Sequence, residues 1–317
     1  MTDSRLDLSV LLASRNRAML LEATICHLAR LDTQGISWEA IIVDNGSTDA
    51  TPAVLERSRG RLPLIALYEP VAGKNRAINR ALAVARGELL IFTDDDVEPD
   101  AGWLTEYLEA ARRWRKYSIF GGPVIPKFPP DTPLWLQEHR GLADCAFAAW
   151  SPTQGEGPAE QLPFGPNFAI RAERLSDIRF SETMGSKGAD TDLMGGELEL
   201  LGRLHTAGER PIFVPAARVR HVITPNQLNR EWLLRRMFRT GRTVVRLKPD
   251  TRAMRLRGAP HYLWHALLFH LLRYSLFLLG PDRARFDAAL AVYRCRGRIY
   301  EYVTEEGGGV LARILHP

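Results

Sequence analysis

Residues 87–103 read GELLIFTDDDVEPDAGW. An apolar run, Leu89-Leu90-Ile91-Phe92, leads straight into Asp94-Asp95-Asp96. The run has the length and composition of a buried strand. Three adjacent carboxylates repel one another unless a cation or a solvated turn holds them.

Upstream, the same strand-then-polar pattern recurs. LSVLLA over 8–13 ends in SRNR, AIIV over 40–43 ends in DNGSTD, and LPLIAL covers 62–67. Leu20, Leu21, Ile25, Leu28 and Leu31 recur at helical spacing and predict a helix over 18–31. Thr51 followed by Pro52 predicts a helix start with a capping hydroxyl. KNRAINRALAVARG over 74–87 predicts a helix stopped by its glycine. Strands and helices alternating at this interval predict an α/β fold, a mostly parallel mixed sheet flanked by helices. Ligands of such sheets bind at the carboxyl ends of the strands. SRNR, DNGSTD and TDDDVEP all fall at such ends and are expected to converge on one crevice.

After about residue 120 the rhythm breaks. Residues 121–166 are rich in Pro and Gly and carry Phe128, Trp135, Phe147, Trp150 and Phe164, which suits irregular chain shaping an acceptor site. PNFAIRAERL (166–175) resumes strand then helix, GGELELLGRLHTAG (195–208) reads as a helix stopped by Gly208, and PIFVP and ARVRHVI read as short strands. From 229 to 300 the pattern is helical and basic. The expected organisation is a catalytic domain over 1–225, with a nucleotide-binding part (1–120) and an acceptor and base part (121–225). A basic helical region over 226–317 follows.

With 317 residues, 45% apolar and 25% charged, the chain has the composition of a globular protein with a sizeable core. A net charge of +5 is too mild to argue for nucleic acid, and no such partner is expected. The charge is uneven, however: ten Arg and Lys side chains between 230 and 257 face only Glu231 and Asp250. A block of that kind attracts phosphates, anionic lipid heads or acidic glycans. Three well-separated cysteines with no C-x-x-C pair argue against a disulfide framework or zinc site and fit the reducing cytoplasm. The opening MTDSRLDLSVLLASRN lacks the basic region and long apolar core of a secretion signal. HYLWHALLFHLLRYSLFLLG (261–280) is long enough to span a bilayer, but it carries Arg273 and three histidines, which are costly at a membrane centre. An interfacial helix with the basic block on lipid phosphates, or a helix docked on protein, are the other readings. The expected location is the cytoplasm, with peripheral contact to the inner face of the cytoplasmic membrane.

Three Asp at a strand mouth suit Mg²⁺ or Mn²⁺, hard ions that take one or two carboxylates and complete their shell with phosphate and water oxygens. The plain alternative is an acidic turn before a helix beginning at EPDAGWL. Asp44 is placed to accept from a nucleobase imide or a ribose hydroxyl, and GKN (73–75) opens a helix whose N-terminus, with Lys74, favours a phosphate. The chain has no G-x-S-x-G and no recognisable Cys–His signature, so metal-assisted transfer with a carboxylate base is favoured over a covalent nucleophile.

Taken in order, SVLLASRNRAMLLEATICHLARL, IIVDNGSTDAT, GKNRAINRALAVARGELLIFTDDDVEPDAGWL, GPNFAIRAERL and GGELELLGRLHTAGERPIFVPAARVRH resemble the family 2 glycosyltransferases of GT-A fold, over about residues 8–222. The resemblance implies an inverting transfer of a sugar from a nucleotide-sugar donor, UDP-linked by first expectation, to a hydroxyl of a glycan or lipid-linked acceptor. By position it implies Asp44 at the base or ribose with Ser14 and Arg17 nearby, and Lys74 and Asn79 on the nucleotide side. Asp94 and Asp96 form the D-x-D, with Asp95 on the sugar or the metal's water shell, and His221 is placed near a Mn²⁺ or Mg²⁺. The catalytic base falls on Glu197, but Gly196 stands where the family often has another acid, and Asp190 or Asp192 could reach in from the GADTD loop. Two rivals share these features: a nucleotidyltransferase making nucleotide sugars, disfavoured because ASRNRAML has no glycine, and a non-catalytic GT-A-like binding protein.

Overall fold

The computed structural model describes residues 5–185, 193–305 and 309–316. The chain divides into two compact units, Met1–Gly188 with Gly195–Ile223, and Ala189–Met194 with Thr224–Pro317.

In the first unit the elements run β1 (Leu6–Ser14), α1 (Ala18–Leu28), β2 (Trp38–Asp44), α2 (Thr51–Arg57), β3 (Leu64–Tyr68), α3 (Lys74–Leu82), β4 (Gly87–Thr93), β5 (Val97–Pro99), α4 (Trp103–Arg113), β6 (Ile119–Gly121) and β7 (Val124–Lys127). Then come α5 (Leu134–Gln137), α6 (Arg140–Phe147), β8 (Gly157–Pro158), β9 (Asn167–Arg171), α7 (Gly196–Thr206), β10 (Pro211–Phe213) and β11 (Val219–Val222). An eight-stranded sheet has the order β3-β2-β1-β4-β9-β6-β10-β8. Its first four strands are parallel, and β9 runs antiparallel between β4 and β6. This is the mixed, mostly parallel sheet that the alternating pattern predicts. The chain reverses its direction of travel between β1 and β4, so their carboxyl ends, Ser14 and Asp94–Asp96, flank the crevice where such sheets bind ligands.

Strand side chains alternate between the faces. Leu8, Val10 and Leu12 of β1 join Ile42, Leu89 and Ile91 against Leu21, Ile25, Val54, Trp103 and Tyr107 of the helices on one side. Leu11, Ile41, Val43, Leu90 and Phe92 pack on the other against Ala77, Ile78 and Ala81 of α3 and Leu200, Leu201 and Leu204 of α7. Burial on both faces explains why these strands read as unbroken apolar runs.

Two local expectations are corrected. Thr51 is already helical, and its backbone N–H is received by the Asp49 carboxylate at 2.9 Å, so Asp49 rather than the Thr51 hydroxyl closes the start of α2. Gly87 does not stop α3, which ends at Leu82; it opens β4. A Cβ at Gly87 would run into the Ser9 backbone of β1, so glycine is what lets β4 lie against its neighbour there.

The second unit holds α8 (Arg230–Leu247), β12 (Arg255–Leu256), β13 (Ala259–Pro260), α9 (His261–Leu276), α10 (Asp282–Glu305) and α11 (Gly309–Leu315). α8 and α10 cross at two glycines: a Cβ on Gly241 would strike the Arg294 carbonyl, and one on Gly297 the Phe238 carbonyl. Part of the basic block is paired within this unit. Arg242 and Arg246 grip the buried Glu301 at 2.7 and 2.6 Å, Arg235 pairs with Glu231, and Arg230 pairs with Asp282. Among the described residues no helix is long and apolar enough to cross a membrane.

Candidate active site

The three carboxylates after β4 go to three different cation arrangements. Asp94 pairs with Lys74, the first residue of α3. Asp95, buried, accepts from the Ser14 hydroxyl at 2.6 Å and from Arg17 at 2.7 Å. The second guanidinium nitrogen of Arg17 reaches Asp96 at 2.5 Å. Ser14 is the last residue of β1 and Arg17 precedes α1, so the β1–α1 turn caps the acidic cluster with one hydroxyl and one fork of charge. Burial pushes Asp95 up to about 6 against the pull of Arg17. Burial also opposes ionisation of Asp96, but the His221 and Arg17 charges outweigh it and hold the carboxyl below its ordinary range.

His221 comes to Asp96 through the small sheet β5-β11-β7. β11 lies antiparallel to β5, and the Val222 N–H donates to the Asp96 carbonyl at 2.8 Å. The imidazole Nδ1 meets the Phe147 carbonyl at 2.9 Å, which sets Nδ1 as the donor and turns Nε2 toward Asp96 Oδ1, 3.4 Å away. Burial works against the imidazolium, yet the Asp96 carboxylate raises the His221 pKa above its ordinary value.

Asp96 Oδ1 is buried and takes no hydrogen bond. A buried carboxylate oxygen left over beside an imidazole nitrogen, whose other nitrogen is fixed by a carbonyl, is a donor pair of the kind a divalent cation takes. Among the described residues no group of three His, Cys, Asp or Glu side chains could hold a metal by itself. The pair therefore fits an ion that shares its shell with phosphate oxygens rather than a closed protein cage.

Asp44 ends β2, in register with Ser14 on one side and Tyr68 on the other. Its Oδ1 accepts from the Ser47 N–H at 2.9 Å, which folds the DNGS turn back on the carboxylate. Asn45 is read from sequence only as a turn residue, yet it is buried and does more. Its amide donates to the Glu69 and Val71 carbonyls and accepts from the Gly73 N–H at 2.7 Å, so it fixes the entry to α3 and with it Lys74. Glu197, in the first turn of α7, lies over Gly165 and lines one pocket with Lys74, Asn75, Thr93 and Phe168. The Lys74 charge interacts favourably with both Asp94 and Glu197.

The structure thus gathers Ser14, Arg17, Asp95, Asp96 and His221, and links Lys74 to Asp94 and Glu197. The Asn79 amide exchanges two 2.9 Å hydrogen bonds with the Phe180 backbone, so it anchors that loop beside α3. Asp190 and Asp192 lie outside the described residues. Asn167 was legible only as part of a segment. In the fold its amide accepts from Trp103 and Tyr107 and donates to the Pro123 and Ala217 carbonyls, pinning β9 beside the mouth of β4.

Comparison with known proteins follows the same frame. ExoM, the succinoglycan biosynthesis protein of Rhizobium meliloti, is 31% identical over 212 residues, 65% of this chain and 64% of its own length. The β-monoglucosyldiacylglycerol synthase of Synechocystis is 29% identical over 208 residues, 62% of this chain and 40% of its own length. The match therefore spans less than two thirds of either relative. The mannosyltransferase PcManGT of Pyrobaculum calidifontis, solved with GDP-Man and Mn²⁺, superposes with a TM-score of 0.60 at 18% identity, covering 94% of this chain and 87% of that one, and so shares the fold. The family described as "Glycosyl transferase family 2" matches residues 9–172, more than half of the chain, and the protein belongs to that family.

Proposed function

We propose that the protein transfers a glycosyl group, with inversion, from a nucleotide sugar to a hydroxyl of a glycan or lipid-linked acceptor. One observation supports this most: Lys74 pairs with Asp94 at the end of β4 and lines one pocket with Glu197, which would set a cation for the diphosphate beside a carboxylate for the acceptor proton. Asp44 receives the nucleoside at the end of β2. Lys74 and the α3 N-terminus face the diphosphate. Glu197 takes the proton of the acceptor hydroxyl as that oxygen attacks the anomeric carbon and the nucleoside diphosphate leaves from the opposite face.

Asp96 and His221, with Asp94 alongside, would hold a Mn²⁺ or Mg²⁺ ion, which supplies Lewis-acid neutralisation of the leaving diphosphate. Arg17 then serves to keep Asp95 and Asp96 together when no cation is bound, and Ser14 orients Asp95. A glycan-building or lipid-linked acceptor is in keeping with the names of these two relatives. A lipid-linked acceptor lies at a membrane surface, and a cytoplasmic protein in peripheral contact with that surface belongs to the same proposal.

Thermal unfolding with UDP, GDP, CDP and dTDP, each with and without Mn²⁺, tests the donor half. A nucleotide at about 100 times its Kd adds roughly 2.7 kcal/mol to the native state. The expected result is a Mn²⁺-dependent stabilisation by one nucleotide, UDP first among them, that disappears in Asp96→Ala. Equal stabilisation of wild type and variant would remove Asp96 from the cation site.

A further inference from the structure

α9 is apolar around most of its circumference but is covered on one side only. Leu263 is buried and joins Cys295, Ile299 and Tyr302 of α10. On the other side Leu268, Phe269, Leu272 and Leu276 are 58, 58, 57 and 78% exposed, and Leu279, just beyond the helix, is fully exposed. The four helical positions recur at the spacing of one stripe. The β12–β13 hairpin adds exposed Met254 and Leu256, and it is tied to the helix where the Trp264 indole donates to the Leu256 carbonyl at 2.7 Å. Soluble proteins seldom leave so continuous a set of large apolar side chains in water.

The charge along the segment that carries the stripe is one-sided. Residues 251–281 contain no Asp or Glu but carry Arg252, Arg255, Arg257 and Arg273. The acids that border the segment are engaged: Asp282 pairs with Arg230 and Arg285, and Asp250 accepts from the Arg252 and Ala253 N–H groups. The basic block of α8, by contrast, is largely neutralised within its own unit by Glu301, Glu231 and Asp282.

We propose that the exposed stripe of α9, with the β12–β13 hairpin, seats the protein on an anionic lipid bilayer as an interfacial helix. This deepens the peripheral contact proposed above by naming the face and the lipid charge. α9 has 16 residues. At 1.5 Å per residue it is about 24 Å long, short of the roughly 30 Å apolar core, so it lies in the interface rather than across it. The stripe supplies the apolar anchor and the arginine rim meets the lipid phosphates. A second copy of the chain fits less well, because a two-fold contact through this face would bring two acid-free, arginine-bearing rims together.

The test is co-sedimentation of the full chain with vesicles of phosphatidylcholine alone or mixed with phosphatidylglycerol. No nucleotide sugar is present, so the outcome stands apart from the transfer chemistry. Wild type is expected to partition onto the anionic vesicles, and Phe269→Glu/Leu272→Glu to lose about tenfold or more of that binding. The milder Leu268→Ser/Leu276→Ser pair is expected to lose part of it, with an unchanged unfolding midpoint, since all four side chains are exposed. Arg252→Glu/Arg257→Glu is expected to weaken binding in low salt. The proposal is overturned if wild type binds neither vesicle or if the apolar variants bind as wild type does. It is also overturned if the apolar variants instead abolish a concentration-dependent dimer seen in sedimentation velocity without lipid.

Discussion

The side-chain amide of Asn75 occupies the space that a Cβ at Gly196 would need. Asn75 is buried at the start of α3 and donates to the Ser181 carbonyl at 2.7 Å, so it cannot simply swing aside. The space beside Gly196 is therefore filled from α3, and Glu197 follows it in the pocket that Lys74 also lines.

Gly196→Ala is accordingly expected to cost about 1–3 kcal/mol through overpacking. Pairing it with Asn75→Gly is expected to cost less than the sum of the two single changes, because they share one space. Denaturant unfolding of the four proteins in that cycle checks it; strict additivity would contradict the contact.

Arg17→Ala leaves Asp95 and Asp96 buried without their shared counter-charge, a loss of about 3 kcal/mol for a broken buried pair, reduced by the partial exposure of Arg17. Mn²⁺ is expected to restore part of that stability in the variant and to add less to wild type. Unfolding midpoints with and without Mn²⁺ read the difference. Indifference of the variant to the ion would mean that no cation takes over the carboxylates.

The raised His221 pKa fixes a pH dependence with a definite sign. The folded state holds this proton more tightly than the unfolded one. The extra stability is fully present below the ordinary histidine pKa of about 6.5 and is lost as pH rises through the folded value. Wild type without metal should therefore lose stability as pH rises above about 6.5, and His221→Gln should lose that part of the slope. The depressed Asp96 carboxyl acts oppositely: its contribution is present above about pH 4 and fades in acid. Parallel stability profiles for wild type and His221→Gln would contradict the pairing.

In the second unit, Gly241→Ala places a methyl on the Arg294 carbonyl at the α8–α10 crossing. A loss of about 3 kcal/mol is expected, since a backbone rather than a side chain must move. Gly202→Ala, on α7 with open space beside it, serves as the control and is expected to gain up to about 1 kcal/mol from helix propensity.

The parallel half of the sheet was legible because its strands spell apolar runs, and those of β1, β2 and β4, buried on both faces, end in polar clusters. Asp94, Asp95, Asp96 and Ser14 could be read off those ends. Asn45, Asn75 and Asn167 could not, because an Asn in a turn, a helix start or a strand carries no spacing signal; each owes its part to backbone groups distant in sequence. The bonds of Asn79 to the Phe180 backbone were equally illegible, since Phe180 lies about a hundred residues further along. Within the basic block the pairing of Arg242 and Arg246 was not legible, because their counter-charge Glu301 lies more than fifty residues further along.

The most direct test of the central claim is turnover of a panel of nucleotide sugars with Mn²⁺, followed as release of the nucleoside diphosphate, for wild type and Glu197→Gln. Wild type is expected to turn over one donor class, and Glu197→Gln to bind the same nucleotide but lose about 10²- to 10⁴-fold in rate, the contribution of a general base. Equal rates in the two proteins would contradict Glu197 as the base. Failure of wild type to turn over any donor, with acceptor present, would contradict glycosyl transfer itself.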